Sequence, residues 1–133
     1  MAYTTTATTK GGRDGRAILE GNALALAMAL PTELGGSGEG HNPEQLFALG
    51  YSACFGQAIL LLAKKHGLDG QAAKVTCGVT LNTTDGFSLA VDLTVSLPGA
   101  DKAALKALVD EAHQVCPYSK ATRGNIPVTL SIA

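Results

Sequence analysis

This 133-residue chain has no excess of charge of either sign: ten lysines and arginines stand against eleven aspartates and glutamates, a formal net charge of −1. No basic patch is visible, so nucleic acid is not an expected partner. The short-spaced signatures of redox and metal chemistry are missing as well, with no CxxC and no HExxH. The three cysteines, Cys54, Cys77 and Cys116, are an odd number and do not suggest a secreted disulfide framework. Together with His41, His66 and His113 they could hold zinc in principle, but the close ligand pairs typical of zinc sites are absent. Met1 to Lys10 is threonine-rich and lacks the apolar core of a signal peptide. The most apolar run, Leu46 to Ala63, is broken by Ser52, Gln57 and two glycines and is short for a membrane span of ~20 residues. There is no internal repeat, linker or low-complexity segment. What remains is the expectation of one soluble, cytoplasmic domain over residues 1–133, with 46% hydrophobic residues to build its core.

Periodicity then divides the chain. Threonines from Tyr3 to Thr9 suit a strand, the glycine-rich Gly11 to Arg16 contains the Asp-Gly of a hairpin turn, and Ala17 to Glu20 suits the return. Gly21-Asn22 reads as another turn. From Ala23 to Leu30, leucines and methionine alternate with alanines, which is period 2 and predicts a strand. A glycine-rich loop follows over Pro31 to His41. Asn42 is a good N-cap, Pro43 suits the first helical position and Gln45 the third, so a helix is expected from here to about His66, closed by Gly67. Its middle is apolar nearly all round, which requires cover on every side. A small chain has little to offer, so a second copy is expected to supply it. Strands are predicted over Val75–Leu81 and Phe87–Leu97, with an Asp85-Gly86 turn between them. A helix capped by Asp101 comes next, then a short turn after Cys116-Pro117, and a last strand through Val128, Leu130 and Ile132. This order predicts an α+β fold with largely antiparallel sheet.

Cys54 lies ten residues after Glu44 on the long helix, about 80° short of three full turns, so the two sit on adjoining faces. A thiol becomes a useful nucleophile when a nearby cation lowers its pKa, whereas a carboxylate alone acts the other way. A reactive Cys54 therefore needs a positive partner. Arg13, in the glycine-rich turn, is the natural candidate, with Arg16 and Arg123 as competitors that spacing alone does not eliminate. The alternative for Cys54 is a small core residue on a buried helix. Cys116 sits before a proline at a helix end, beside free backbone N–H groups that favour a thiolate. Cys77, on the apolar face of a strand, reads as plain core, and the three histidines carry no clear chemistry.

Three segments, in order along the chain, resemble one family. Gly11-Gly12-Arg13-Asp14-Gly15-Arg16 is the first. Asn42-Pro43-Glu44-Gln45-Leu46-Phe47-Ala48 with Gly50-Tyr51-Ser52-Ala53-Cys54-Phe55 is the second, and Val115-Cys116-Pro117-Tyr118-Ser119-Lys120-Ala121-Thr122-Arg123-Gly124-Asn125 the third. They are similar to segments of the organic hydroperoxide resistance proteins of the OsmC superfamily, and the Cys-Pro-Tyr-Ser form points to that branch. The resemblance implies an OsmC-like fold: largely antiparallel sheets around a long buried central helix, in an intertwined homodimer. It implies a thiol peroxidase that reduces alkyl and fatty-acid hydroperoxides to alcohols and protects against oxidative stress. By the same resemblance Cys54 is the peroxidatic cysteine and Cys116 the resolving one. Arg13 activates the thiolate and Glu44 holds Arg13. Cys54 would pass through a sulfenic acid to a Cys54–Cys116 disulfide. A dihydrolipoyl protein or another dithiol would reduce that disulfide. Phe47 and Tyr51 would favour alkyl peroxides by burying the alkyl chain. No metal or organic cofactor and no membrane insertion are expected, and Cys77 lies outside the family's motifs. The competing reading is a protein that is not an enzyme, a redox sensor or lipid binder using the same cysteine pair.

Overall fold

The alternating N-terminal segments build a small antiparallel meander of β1 (Ala7–Lys10), β2 (Arg16–Leu19) and β3 (Ala25–Ala27), in the order β1-β2-β3. The computed structural model describes residues 1–21 and 23–133, so the expected turn at Gly21-Asn22 falls partly outside the described residues. Contacts group the chain into two units, Met1–Leu46 and Phe47–Ala133.

In the first unit, a single 3₁₀ turn at Gly12–Asp14 joins β1 to β2 and carries Arg13. Gly11 has a φ of 84°, and a Cβ on Gly15 would run into the Lys10 carbonyl oxygen, so this turn needs its glycines. Two strands are shorter than the alternation suggests. β1 begins at Ala7, not Tyr3, and the Ala23–Leu30 pattern yields pairing with β2 only as far as Ala27 opposite Arg16. Beyond that point β2 has no residues left to pair. Met28 gives its N–H to the Gly15 carbonyl, just ahead of β2, at 2.9 Å and forms a parallel bridge with His41, and the Leu30 N–H donates to Asp14 Oδ1 at 3.2 Å.

The long helix α1 (Pro43–Ala63) starts as its residues dictate. Asn42 Oδ1 accepts from the Gln45 N–H at 2.9 Å, and Gln45 Oε1 accepts from the Asn42 N–H at 3.1 Å, a reciprocal capping box. A 3₁₀ turn over Lys64–His66 and a left-handed Gly67 (φ 72°) end it. Tyr51, Phe55, Ala58, Ile59 and Ala63 form its buried stripe. The rest of its apolar surface is less covered: Leu49 and Leu61 are each 67% exposed. With its 3₁₀ extension the helix reaches 24 residues, and an 18-residue stretch of it has a mean hydropathy of 1.8, enough by length and composition to cross a membrane, where the sequence suggested too short a run. The added length is the capped first turn and the Lys64–His66 end, both carrying charge, while the buried stripe is part of the core of the second unit.

That core is built on β4 (Lys74–Asn82), β5 (Ser88–Ser96) and β6 (Val128–Ile132), ordered β4-β5-β6. Asp85 (φ 58°) and Gly86 (φ 93°) make the β4–β5 turn that Asp-Gly predicts. Period-2 register puts Val75, Cys77 and Val79 opposite Val95, Leu93 and Val91, and these opposite Ile132, Leu130 and Val128, so one face is apolar across all three strands. β6 runs parallel to β5, a departure from the otherwise antiparallel pairing. The crossover holds α2 (Lys102–Val115) and α3 (Pro117–Thr122). Asp101 Oδ2 caps α2 by accepting from the Ala104 N–H at 2.9 Å. Leu105, Leu108, Val109 and Ala112 are the buried stripe of α2, which packs on β6.

Candidate active site

Both cysteines that the sequence singles out lie in the second unit, and they meet. Cys54 is half-buried in the middle of α1, and Cys116 is fully buried where α2 stops and α3 begins. Pro117 is the physical cause of that break: it has no N–H to continue α2, yet it suits the first position of α3. Cys116 therefore leaves the helical conformation (φ −59°, ψ 125°) while its N–H still bonds to the Ala112 carbonyl at 2.9 Å. Its Sγ lies 3.4 Å from Cys54 Sγ, with both thiols free. Burial pushes the Cys54 thiol above its ordinary pKa and the neighbouring Cys116 adds to this, while the Tyr118 backbone N–H acts the other way. The pair by itself is thus not activated.

Aromatic rings gather beside it. Tyr51 packs against Phe47, Phe55 and Tyr118 with centroids 6.0, 6.5 and 5.7 Å away. Gly50 makes room for Tyr118, since a Cβ there would come within 2.9 Å of its hydroxyl. Tyr51 is fully buried and Tyr118 is 40% exposed. Of the two aromatics the sequence offers as an alkyl-binding wall, Tyr51 is therefore enclosed, and Tyr118 is the ring open to a ligand.

Arg13 and Glu44 meet in the first unit. Arg13 Nη1 donates to Glu44 Oε2 at 2.8 Å and Nη2 to Oε1 at 2.7 Å, two parallel bonds that match the fork of a guanidinium to a carboxylate. The hydrogen bond from Arg13 holds the Glu44 carboxyl below its ordinary pKa, and Glu44 raises that of Arg13. Of the competing arginines, Arg123 gives Nη1 to the His113 carbonyl at 2.8 Å, and Arg16 lies in β2. Because the folded-state pKa of Glu44 is depressed, its contribution to stability is complete above its ordinary value of about 4.5 and is lost as pH falls below it. Thermal denaturation followed from pH 7 to pH 3 is expected to show the gap between wild type and Glu44→Gln closing through that window. A gap independent of pH would count against the ion pair.

A third constellation was not foreseen from the sequence. Tyr51 OH lies 2.7 Å from Ser119 Oγ and 3.1 Å from Thr122 Oγ1, and His113 Nδ1 lies 2.7 Å from Ser119 Oγ. Tyr51 and Ser119 are fully buried and Thr122 nearly so. The signal available was chemical: a tyrosine inside an apolar helix must find a partner for its hydroxyl. No spacing rule names a partner 68 residues away. Cys77 lies opposite Leu93, and burial with the charge of Asp92 pushes its thiol up, in keeping with a core role. His66 Nε2 is 3.6 Å from Glu111, and His41 Nδ1 is 3.3 Å from Gln45. Among the described residues no three His, Cys, Asp or Glu side chains come together as a metal site. A cleft of about 260 Å³ runs beside the C-terminal half of α1 and is lined by Gly56, Gln57, Leu60, Gln71 and Val75 among others, but by none of the four candidate residues.

The model of one protein family, OsmC-like protein, matches residues 36–131, which include both cysteines and Glu44. An organic hydroperoxide resistance protein of Xanthomonas axonopodis pv. citri is 50% identical over 100% of this chain and 96% of its own. The chain belongs to the organic hydroperoxide resistance proteins of the OsmC family. The fold agrees. The crystal structure of an organic hydroperoxide resistance protein from Legionella pneumophila superposes with a TM-score of 0.91 at 43% identity, covering 100% of this chain and 98% of that one. The hydroperoxide resistance protein OhrB of Bacillus subtilis does so with a TM-score of 0.86 at 37% identity, covering 98% of each. The OsmC-type α+β fold expected from the motifs is thus the fold of this member of the family.

Proposed function

We propose that this chain is a thiol peroxidase that reduces organic hydroperoxides, alkyl and fatty-acid, to alcohols. The observation that carries the reading is the 3.4 Å contact between two free thiols in a member of the hydroperoxide resistance family. In the first step the Cys54 thiolate attacks the terminal peroxide oxygen. The O–O bond breaks, the alkoxide leaves and takes a proton to become the alcohol, and Cys54 becomes a sulfenic acid. Cys116 then attacks the Cys54 sulfur, the S–O bond breaks, and the hydroxide leaves with a proton as water. Forming that disulfide closes the sulfur separation from 3.4 Å to ~2.05 Å. A dithiol, such as a dihydrolipoyl group, reduces it by exchange and is itself oxidised to a disulfide. Such dithiols are maintained in the reducing cytoplasm, the compartment this reading assigns.

Arg13 is the cation assigned to the Cys54 thiolate, and the two bonds from Glu44 fix the plane and direction of its guanidinium. Phe47 and Tyr118 are assigned to the alkyl group of the substrate, where each buried CH₂ favours binding by ~0.8 kcal/mol and hydrogen peroxide gains nothing. The test is steady-state turnover with cumene and tert-butyl hydroperoxides against hydrogen peroxide, with dihydrolipoamide as reductant. Fast turnover of the organic peroxides supports the reading. One stoichiometric oxidation with no further turnover would return the protein to a sensor or lipid binder.

The reading includes a homodimer, supported by the open apolar side of α1 with Leu49 and Leu61 two-thirds exposed. Sedimentation equilibrium is expected to give twice the chain mass of 13.5 kDa, and Leu61→Asp to shift it toward the monomer. A monomeric wild type at micromolar concentration would remove the dimer from the proposal.

A further inference from the structure

Counting donors and acceptors fixes the direction of the buried polar chain beside the two thiols. The Thr122 hydroxyl donates to the Ser119 carbonyl at 3.2 Å, so its oxygen accepts from Tyr51 O–H. Tyr51 has then spent its one proton, and its oxygen accepts from Ser119 O–H. Ser119 Oγ in turn accepts from His113 Nδ1–H. The chain thus runs His113 to Ser119 to Tyr51 to Thr122, and each hydroxyl both donates and accepts. Burial and the charge of Arg123 favour the neutral His113 ring, and the chain requires its proton on Nδ1. Breaking any one link leaves a buried donor or acceptor unmet, so the network resists displacement.

Its position relative to the sulfurs gives it a task. Tyr51 is three residues before Cys54, one turn away on α1. His113 and Ser119 are each three residues from Cys116, on α2 and α3 to either side of the Cys-Pro break. The chain therefore ties the helix that bears one sulfur to both helices that flank the other. We propose that His113, Ser119 and Tyr51 are positioning residues for disulfide closure: they hold Cys116 within reach of the Cys54 sulfenic acid and favour the disulfide once formed. They take no part in the attack on peroxide. The proposal rests on the thiol-peroxidase reading. The step itself is balanced: the Cys116 S–H and Cys54 S–OH become one S–S bond and one water.

The test separates the two half-steps in Tyr51→Phe, His113→Leu and His113→Asn, the last of which keeps an N–H donor close to the position of Nδ1. Single-turnover oxidation by cumene hydroperoxide is followed by trapping of the Cys54 sulfenic acid and by appearance of the disulfide. Equilibration against dithiothreitol buffers gives the stability of the disulfide. Sulfenic acid formation is expected to stay within about twofold of wild type in all three, since no donor to Cys54 is removed. Closure is expected to slow about tenfold in Tyr51→Phe, which cuts two of these bonds, and in His113→Leu, which cuts one, with a similar shift toward the dithiol at equilibrium. His113→Asn should recover most of both. Closure and equilibrium unchanged in the two cut variants would overturn the proposal. So would a parallel fall of both half-steps that Asn does not relieve, which marks a merely structural role. If wild type forms no Cys54–Cys116 disulfide with any organic hydroperoxide, the thiol-peroxidase reading itself falls.

Discussion

Cys54→Ser is expected to bring organic hydroperoxide turnover down to the uncatalysed level, with folding intact. Serine is nearly isosteric with cysteine, and the site is a half-buried position in the middle of a helix held by its own cap and by the Tyr51–Phe55–Ile59 stripe. A hydroxyl does not ionise near neutral pH and does not form a sulfenic acid, so the first step has no substitute nucleophile. Cys116 does not take over, because it is fully buried and its partner would be gone. Cys116→Ser provides the contrast. One hydroperoxide is consumed at close to the wild-type rate, but the sulfenic acid on Cys54 has no thiol 3.4 Å away to resolve it. Cys54 should then accumulate sulfinic acid, gaining two oxygens in the mass spectrum, as excess peroxide is added. Full multiple turnover in Cys54→Ser would return that residue to the core. Full protection from over-oxidation in Cys116→Ser would deny Cys116 its resolving role.

Arg13→Ala is expected to have the next largest effect, and its size follows from the thiol. At the ordinary pKa of ~8.5 only about 3% of a cysteine is ionised at pH 7. Burial and Cys116 push Cys54 further up, so without help the thiolate is scarcer still. A cation that brings the pKa to 7 or below leaves half or more of the thiol ionised, which raises the reactive fraction by about 16-fold or more. Removing it should cost at least that factor in the rate with hydroperoxide at pH 7. The loss should shrink as pH rises, because the wild-type thiolate fraction is already saturated while that of the variant still climbs. Rates of Cys54 alkylation by iodoacetamide between pH 5 and pH 10 give both apparent pKa values directly. Arg13→Lys is expected to recover little, since an ammonium cannot make the paired bonds to Glu44 at 2.7 and 2.8 Å. Equal apparent pKa values in wild type and Arg13→Ala would sink the assignment of Arg13 to Cys54.

Much of the fold was legible because its signals are local. The capping box at Asn42 and Gln45, the glycine stop at Gly67, the Asp85-Gly86 hairpin and the Asp101 cap all act within four residues, and all formed as the sequence implied. Strand lengths in the first unit were less legible. The alternation from Ala23 to Leu30 reports which residues suit a pleat, but pairing ends where β2 runs out of partners, and that depends on the other strand. The parallel pairing of β6 with β5 was missed for the same reason: period 2 is the same whichever way a neighbouring strand runs.

By itself the sequence determined the two longer helices and their ends, the apolar faces, and a short set of residues able to do thiol chemistry, because helix caps, turns and periodicity act through neighbours in the chain; the segment after Cys116-Pro117, expected as a short turn, is the helix α3. The sequence favoured Arg13 for its glycine-rich turn but did not eliminate Arg16 and Arg123, and only a resemblance to known proteins chose among them. The tertiary structure decided which side chains meet. It brought Cys116 to Cys54 across 62 residues of chain and Arg13 to Glu44 across 31. It also closed Tyr51, Ser119, His113 and Thr122 into one directed chain of hydrogen bonds. These meetings depend on distances of about 3 Å between atoms carried on separate elements, and only the packing of those elements sets them.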